Sequence, residues 1–247
     1  SNPNLEKVSL SSMRILSCGG SPIPPAHVLR VLSHVGSEFF VSYGMTECCG
    51  KISMSLVSEE QRLAWGPEGI VQNICTSGRP FLLSDVRIVD HKGLDVVPAS
   101  GQVGHVWVRG HSMFPGYWRN DSANATSFAD GWFCTGDMGL INKNGYVTIV
   151  DRAKDMILCG GENVYCAEVE AALHEHPHVS QAAVIGIPNQ VMGEVVAAVL
   201  VVSEPISQAD IVTFCRMRLS EYKVPYVVEF VEQMPTTGSG KILKTKL

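Results

Sequence analysis

One uninterrupted apolar run, Val195-Val196-Ala197-Ala198-Val199-Leu200-Val201-Val202, constrains this chain more than any other feature. Eight residues fall far short of the roughly 20 that a membrane-spanning helix needs, so the run predicts a buried strand and no transmembrane segment is expected. The residues around it complete a module. A helix is expected at 167–175 and a strand at 179–186. A further helix opens on the capping box Ser207-x-x-Asp210 and carries the apolar stripe Ile211, Phe214, Cys215 and Leu219, and a last strand follows at 226–231. This reads as a compact α+β module of fewer than about 100 residues.

Upstream the pattern differs. Residues 13–18 read as a strand running into Gly19-Gly20, and prolines 22, 24 and 25 open a helix with Val28, Leu32 and Val35 on one stripe. A second strand, 38–42, ends in Tyr43-Gly44-Met45-Thr46-Glu47. From 76 to 150, alternating pairs such as Val86/Ile88, Val106/Val108 and Val147/Ile149 are broken by glycines without helical periodicity, which predicts a β-rich, barrel-like section. The charged run Asp151-Arg152-Ala153-Lys154-Asp155 is the expected hinge, dividing residues 1–151 from 152–247.

With 247 residues, 45% of them hydrophobic, the chain can bury a sizeable core. A net charge of −5 with scattered basic residues leaves no electrostatic footprint for nucleic acid. The eight cysteines contain no Cys-x-x-Cys, and Cys48-Cys49 are adjacent, so they read as reduced small hydrophobes of an intracellular protein. His174, His176 and His178 straddle Pro177 at a helix end, where they complement exposed carbonyls better than they make a metal site. Ser1-Asn2-Pro3 is polar and reads as an artificial leader, not a signal peptide.

Four short segments carry chemistry. Tyr43-Gly44-Met45-Thr46-Glu47 offers a stacking face, close backbone approach, a hydroxyl donor and a metal-binding oxygen. In Thr135-Gly136-Asp137 a carboxylate follows a glycine turn, well suited to accept a pair of sugar hydroxyls or to cap a turn. Asp151-Arg152 adds a planar cation, and Gly160-Gly161-Glu162-Asn163 would let a narrow chain pass close to backbone. In Thr236-Thr237-Gly238-Ser239-Gly240-Lys241-Ile242, glycines and hydroxyls surround one lysine, a mobile arm suited to touching a phosphate transiently. A Walker-type phosphate loop does not fit there, because Pro235 stands where the first glycine belongs and Ile242 replaces the Ser or Thr after the lysine.

Together and in this order, these segments, with Gly131-Trp132-Phe133-Cys134 ahead of Thr135, closely resemble the adenylate-forming enzymes: acyl-CoA synthetases, peptide-synthetase adenylation domains and beetle luciferases. The resemblance runs from about residue 13 to the C-terminus. It implies α/β and α+β architecture: the second part of a large AMP-binding domain, including the barrel-like section, followed by a small mobile α+β domain. It also implies a two-step ligase that uses ATP, Mg2+ and coenzyme A, forming an acyl adenylate from a small carboxylic acid and passing the acyl group to a thiol. By that resemblance Tyr43 stacks on adenine beside Gly44, Thr46 contacts the α-phosphate and Glu47 holds magnesium. Asp137 takes the ribose hydroxyls with Arg152 beside it. Lys154 is the hinge, Gly160 and Gly161 line the coenzyme A passage, and Lys241 acts in the first step only. Gly19, Gly20 and Ser42 lie along the acyl pocket, with Ser42 standing where many relatives have glycine.

The family's Ser/Thr/Gly-rich phosphate loop, expected upstream of Gly19-Gly20, is missing, so the chain is expected to be a piece of a longer enzyme and inactive alone. The Asp151 to Glu170 and 113–118 segments are more similar to acyl-CoA synthetases of the fatty-acyl or coumarate type than to peptide-synthetase modules. A carrier-protein-loading adenylation domain and a catalytically silent binding homologue stay open as alternatives. Thr245-Lys246-Leu247 is similar to a peroxisomal Ser-Lys-Leu ending, against a cytoplasmic expectation. Neither the acid nor the oligomeric state is encoded in any of these patterns.

Overall fold

The valine-rich run occupies the centre of a sheet. In the computed structural model, which describes residues 9–20, 23, 25–35, 38–238 and 240–247, it belongs to a strand, Gly193–Val202, that pairs on both edges. Contacts divide the chain into two units, one ending at Ile149 and the other beginning at Val150. The expected prolines 22 and 24, Ser239 and the leader residues 1–3 lie outside the described residues, as does the side chain of Val35.

In the first unit, β1 (Ile15–Gly19) and β2 (Glu38–Met45) run parallel, joined through α1 (Pro25–Val35). β2 turns back into β3 (Gly50–Met54), which pairs with the short β4 (Arg79–Pro80). Between β3 and β4 lies α2 (Glu59–Ile74), which the sequence pattern did not announce. Ser58 accepts from the Gln61 backbone N–H while the Gln61 side chain accepts from the Ser58 N–H, so a capping box starts it. Gly66 and Pro67 then break its helical dihedrals and blur its apolar period. Val28, Phe39, Val41, Val57, Val71 and Ile74 close the core between these helices and the sheet.

The glycine-punctuated section forms a second sheet, a half-barrel of five strands in the order β5 (Ser84–Val89), β6 (Gly104–Gly110), β8 (Trp132–Ile141) and β7 (Phe128–Ala129), with β9 (Val147–Arg152) also on β8. One short helix interrupts the β-rich section: α3 (Asp121–Ser127) has seven residues, is capped by Asn120 and buries none of them, so it shows no period. Cys48, Ile52, Ile88, Val106, Val108 and Phe133 form the core under this sheet.

The second unit is built around β13 (Gly193–Val202). β12 (Val179–Asn189) lies antiparallel along its whole length, and the other edge takes β10 (Ile157–Cys159) and β14 (Val227–Phe230), with β11 (Glu162–Val164) beyond β10. Val196, Ala198 and Leu200 pack with Val169 and Leu173 of α4 (Cys166–His174) and Ile211 and Cys215 of α5 (Gln208–Arg216). Val199 faces the other way, onto Ala183 and Met234 with Ile242 and Leu247 against them. Cover on both faces is the reason the run is apolar at every position. The expected core face of α5 is graded: Ile211 and Cys215 are fully buried, whereas Phe214 is only half-buried and packs on His176 and under the Arg218 guanidinium. No helix among the described residues is long and apolar enough to cross a membrane, and all eight cysteines are free thiols.

Candidate active site

The residues singled out in the first unit gather where β2 meets β8. Pairing places His105 opposite Met138 but Trp107 opposite Cys134, so the single residue Val106 of β6 faces three of β8. Those three, Thr135-Gly136-Asp137, form a bulge that bends the strand and re-aims a side chain. Gly136 takes φ +76, which other residues rarely adopt. The Thr135 hydroxyl donates to the Val106 carbonyl at 2.9 Å and accepts from the Asp137 N–H at 3.1 Å, fixing the bulge from within. Asp137 is thereby held in the interior at 3% exposure.

Its carboxylate meets Tyr43. The Tyr43 hydroxyl donates a hydrogen bond to Asp137 Oδ2 across 94 positions of sequence. Burial first, and then the neighbouring carboxylate, push the Tyr43 phenol well above its ordinary range, so it remains a neutral donor. The sequence pointed to the ring of Tyr43; the structure adds its hydroxyl. Gly44 has an internal cause: a Cβ there would lie 1.8 Å from the Gly50 carbonyl oxygen of β3. Backbone approach at this position is already taken by the neighbouring strand.

Thr46 and Glu47 follow on a 3-10 turn, Thr46–Cys48, with Thr46 exposed and Cys48 buried in the core. Burial, helped by the Glu47 carboxylate, pushes the Cys48 thiol up to about 12. Glu47 is held by a segment whose role was not legible in sequence. The Phe114 N–H donates to the Glu47 carbonyl at 2.8 Å, and the Tyr117 hydroxyl donates to Glu47 Oε1 at 3.0 Å. Tyr117 is itself clamped, since Asn124 of α3 accepts from its N–H at 2.7 Å and donates to its carbonyl at 3.0 Å. Burial and then Glu47 raise the Tyr117 phenol, keeping it a donor. One carboxylate oxygen of Glu47 is thus oriented, and a carboxylate retains acceptor sites beyond that single bond. Among the described residues no three His, Cys, Asp or Glu side chains converge as a metal cage. Magnesium characteristically uses one or two carboxylates together with substrate phosphates, and the Glu47 arrangement fits that requirement.

Immediately before Tyr43 on β2, Ser42 is the register partner of Gly19, and its hydroxyl donates to the Cys18 carbonyl at 3.3 Å. A Cβ on Gly19 would meet the Ser42 carbonyl oxygen at 2.6 Å and Oγ at 2.8 Å, so the two positions are matched sterically. Gly20 follows at φ +92 with open space around it.

Arg152, Lys154, Gly160, Gly161 and Lys241 belong to the second unit. Arg152 ends β9, and Lys154 is exposed in the turn that follows, where the Asp155 N–H bonds to the Arg152 carbonyl at 3.0 Å. Gly160 and Gly161 make the tight turn from β10 to β11 and are exposed. A Cβ on Gly160 would lie 2.5 Å from Met192 Cε, whereas Gly161 has open space. The described residues that flank the lysine loop bond to one another. Thr236 bridges to Ile242, the Thr237 N–H donates to the Lys241 carbonyl at 2.8 Å, and the Thr237 hydroxyl accepts from the Lys241 N–H at 3.2 Å. Lys241 therefore stands exposed on a closed hairpin turn.

The family model described as AMP-binding enzyme matches residues 2–118, and the one described as AMP-binding enzyme C-terminal domain matches residues 168–241. A feruloyl-CoA synthase of an Amycolatopsis species is 41% identical over 245 residues, covering 98% of this chain and 47% of that protein. A 2-succinylbenzoate–CoA ligase of Bacillus licheniformis is 36% identical over 236 residues, covering 96% and 46%. Among solved structures, the o-succinylbenzoate CoA synthetase of Bacillus subtilis, in complex with its acyl-adenylate intermediate, superposes with TM-score 0.85 at 32% identity over 98% of this chain and 48% of that one. The same enzyme has been solved with ATP and a magnesium ion. An amide bond synthetase of Marinactinospora thermotolerans gives TM-score 0.84 at 33% identity, covering 99% and 49%. The chain spans about half the length of the relatives it matches. Both family models, in order along one chain, and relatives alike across nearly all of it lead to one assignment: this chain belongs to the AMP-binding, adenylate-forming enzyme family.

Proposed function

We propose that this chain supplies the later part of the large domain and the small domain of an ATP-dependent, AMP-forming acid–thiol ligase. In the first step a carboxylate oxygen of the acid bonds to the α-phosphorus of ATP and pyrophosphate leaves. In the second a coenzyme A sulfur bonds to the acyl carbon, the thiol proton is lost to solvent, and AMP departs. One observation carries the reading: the bulge that buries Asp137 delivers its carboxylate to the Tyr43 hydroxyl, joining two segments 94 positions apart that the family resemblance assigns to one nucleotide.

In this reading the Tyr43 ring takes the adenine face while its hydroxyl orients Asp137, which accepts from the ribose hydroxyls, and Arg152 contributes donors to the same nucleotide. Thr46 donates to the α-phosphate. Glu47, aimed by Tyr117, would hold magnesium, which when bound supplies neutralisation of phosphate charge. Lys241 answers the negative charge that builds as one anion attacks another, an electrostatic task suited to a cation placed in advance. Its exposure on a hairpin suits a group needed in one step and withdrawn in the next, with Lys154 as the pivot and Gly160-Gly161 beside the incoming thiol. Gly19, Gly20 and Ser42 border the acyl group.

The test is made in the full-length enzyme that carries this chain. Lys241→Ala abolishes acid-dependent ATP–pyrophosphate exchange and spares thioester formation from a supplied acyl adenylate. Equal loss of both half-reactions would remove Lys241 from the assigned role. The likeness to an amide bond synthetase supports a second acceptor, an amine in place of the thiol; product analysis with coenzyme A and with an amine distinguishes the two.

A further inference from the structure

Three charged side chains of the second unit, Asp151, Glu170 and Lys244, have no part in the roles above. Lys244 Nζ lies 2.7 Å from Glu170 Oε1, and both side chains are about three-quarters buried, at 25% and 22% exposure. The Arg216–Glu221 pair, by contrast, leaves its partners 57% and 73% exposed. Glu170 is fixed a second time, because Oε1 also accepts from the Val184 N–H of β12 at 2.9 Å. Burial acts against the Lys244 ammonium, but Glu170, followed by Cys166 and Asp151, outweighs it and leaves the lysine pKa raised. Asp151 is tied to the same helix, since its Oδ2 accepts from the Ala167 N–H at the start of α4 at 3.3 Å.

Lys244 stands three residues after Lys241, where the return arm of the same hairpin runs into a short 3-10 helix, Lys244–Lys246. The bonds that close the hairpin are internal: Thr236 to Ile242, Thr237 to Lys241, and the Leu243 N–H to the Pro235 carbonyl at 2.8 Å. Ile242 and Leu247 attach the arm to the sheet through apolar contacts, which have little directionality. The charged, hydrogen-bonded contact to Glu170 supplies direction.

We propose that Lys244 is a positioning residue for Lys241: its ion pair with Glu170 ties the return arm of the hairpin to α4, so that the exposed ammonium of Lys241 is presented in one place. This rests on the reading that Lys241 acts in adenylate formation, and it assigns Lys244 to that half-reaction alone. The pair touches no reacting atom.

The experiment uses the full-length enzyme with Lys244→Met, which keeps the aliphatic stem and removes the charge. Adenylate formation, read as pyrophosphate exchange, falls about 10- to 100-fold, the cost of misplacing a catalytic group by about 1 Å. The loss is in kcat, with KM for ATP within about 2-fold and thioester formation from supplied adenylate within about 2-fold. Lys244→Arg restores exchange to within about 3-fold, since a guanidinium can still reach one carboxylate oxygen. Glu170→Gln reproduces the defect, and the double variant is no worse than Lys244→Met alone. The proposal is overturned by equal loss of both half-reactions, by unchanged exchange, or by failure of arginine to rescue. Lys241→Ala in parallel separates the two claims. If it spares exchange, the role of Lys241 is wrong. If it is selective while Lys244→Met leaves exchange intact, only the positioning role is wrong.

Discussion

Tyr43→Phe removes one oxygen atom and leaves the ring, so it isolates the bond that joins β2 to the β8 bulge. That bond ends on a carboxylate only 3% exposed. Hydrogen bonds to charged groups contribute about 1.5–3 kcal/mol net. The Thr135 scaffold and other interactions of Asp137 persist in the variant, which places the expected loss in the lower half of that range, about 1.5–2 kcal/mol. For a chain of this size each kcal/mol moves Tm by about 2–4 °C, so a fall of roughly 3–8 °C is expected. All four tryptophans, at 65, 107, 118 and 132, lie in the first unit, so thermal unfolding followed by tryptophan fluorescence reads that unit specifically. The sign with pH follows from the raised phenol. The folded state favours protonated Tyr43, so its contribution is complete below the ordinary tyrosine value of 10.0 and is lost as pH rises above it. The difference between wild type and variant therefore holds constant from pH 7 to 9 and shrinks at more alkaline pH. Equal melting temperatures at pH 8, or a gap that widens above pH 10, would refute this reasoning.

Other consequences can be checked on the same protein. Gly44→Ala puts a methyl group 1.8 Å from the Gly50 carbonyl and should cost about 4 kcal/mol or more, read as loss of the cooperative urea transition of the first unit. In the full-length enzyme, Tyr117→Phe frees Glu47 Oε1 and should raise the magnesium concentration needed for half-maximal adenylation several-fold, about 3- to 10-fold, while the Asn124 clamp keeps the backbone in place. An unchanged magnesium response would detach Tyr117 from the site. With Ellman's reagent at pH 8, exposed Cys18 and Cys49 should react first. Cys75 and Cys215, pushed by burial up to about 11, and Cys48 and Cys166, up to about 12, should react only on unfolding. Fast modification of Cys166, which donates to the Asp155 carbonyl at 2.9 Å, would contradict its enclosure.

What the sequence revealed follows from how local each signal is. The eight-residue run was legible because burial on both faces leaves no other composition, and α5 because its capping box and stripe lie within a few residues. Helix α2 escaped notice because Gly66 and Pro67 break its period in the middle. Helix α3 escaped because seven residues, none of them buried, have no period to show. The candidate site divides in the same way. Tyr43, Thr46, Glu47 and Asp137 announce themselves by residue type beside glycine, but the pairing of Tyr43 with Asp137 spans 94 positions and that of Tyr117 with Glu47 spans 70. No local pattern encodes such partners. Gly44 marks the opposite limit: it resembles a site glycine, and the adjacent strand, invisible in a local pattern, independently requires a glycine there.

The account turns on Asp137 reading a ribose beneath Tyr43. Binding of AMP and of 2′,3′-dideoxy-AMP to the full-length enzyme, measured by calorimetry for wild type and Asp137→Asn, tests this directly. Wild type should prefer AMP by about 10-fold or more, as expected for hydrogen bonds to a charged acceptor, and the variant should lose most of that preference. Equal affinity of wild type for the two nucleotides, or a preference unchanged in the variant, would contradict it.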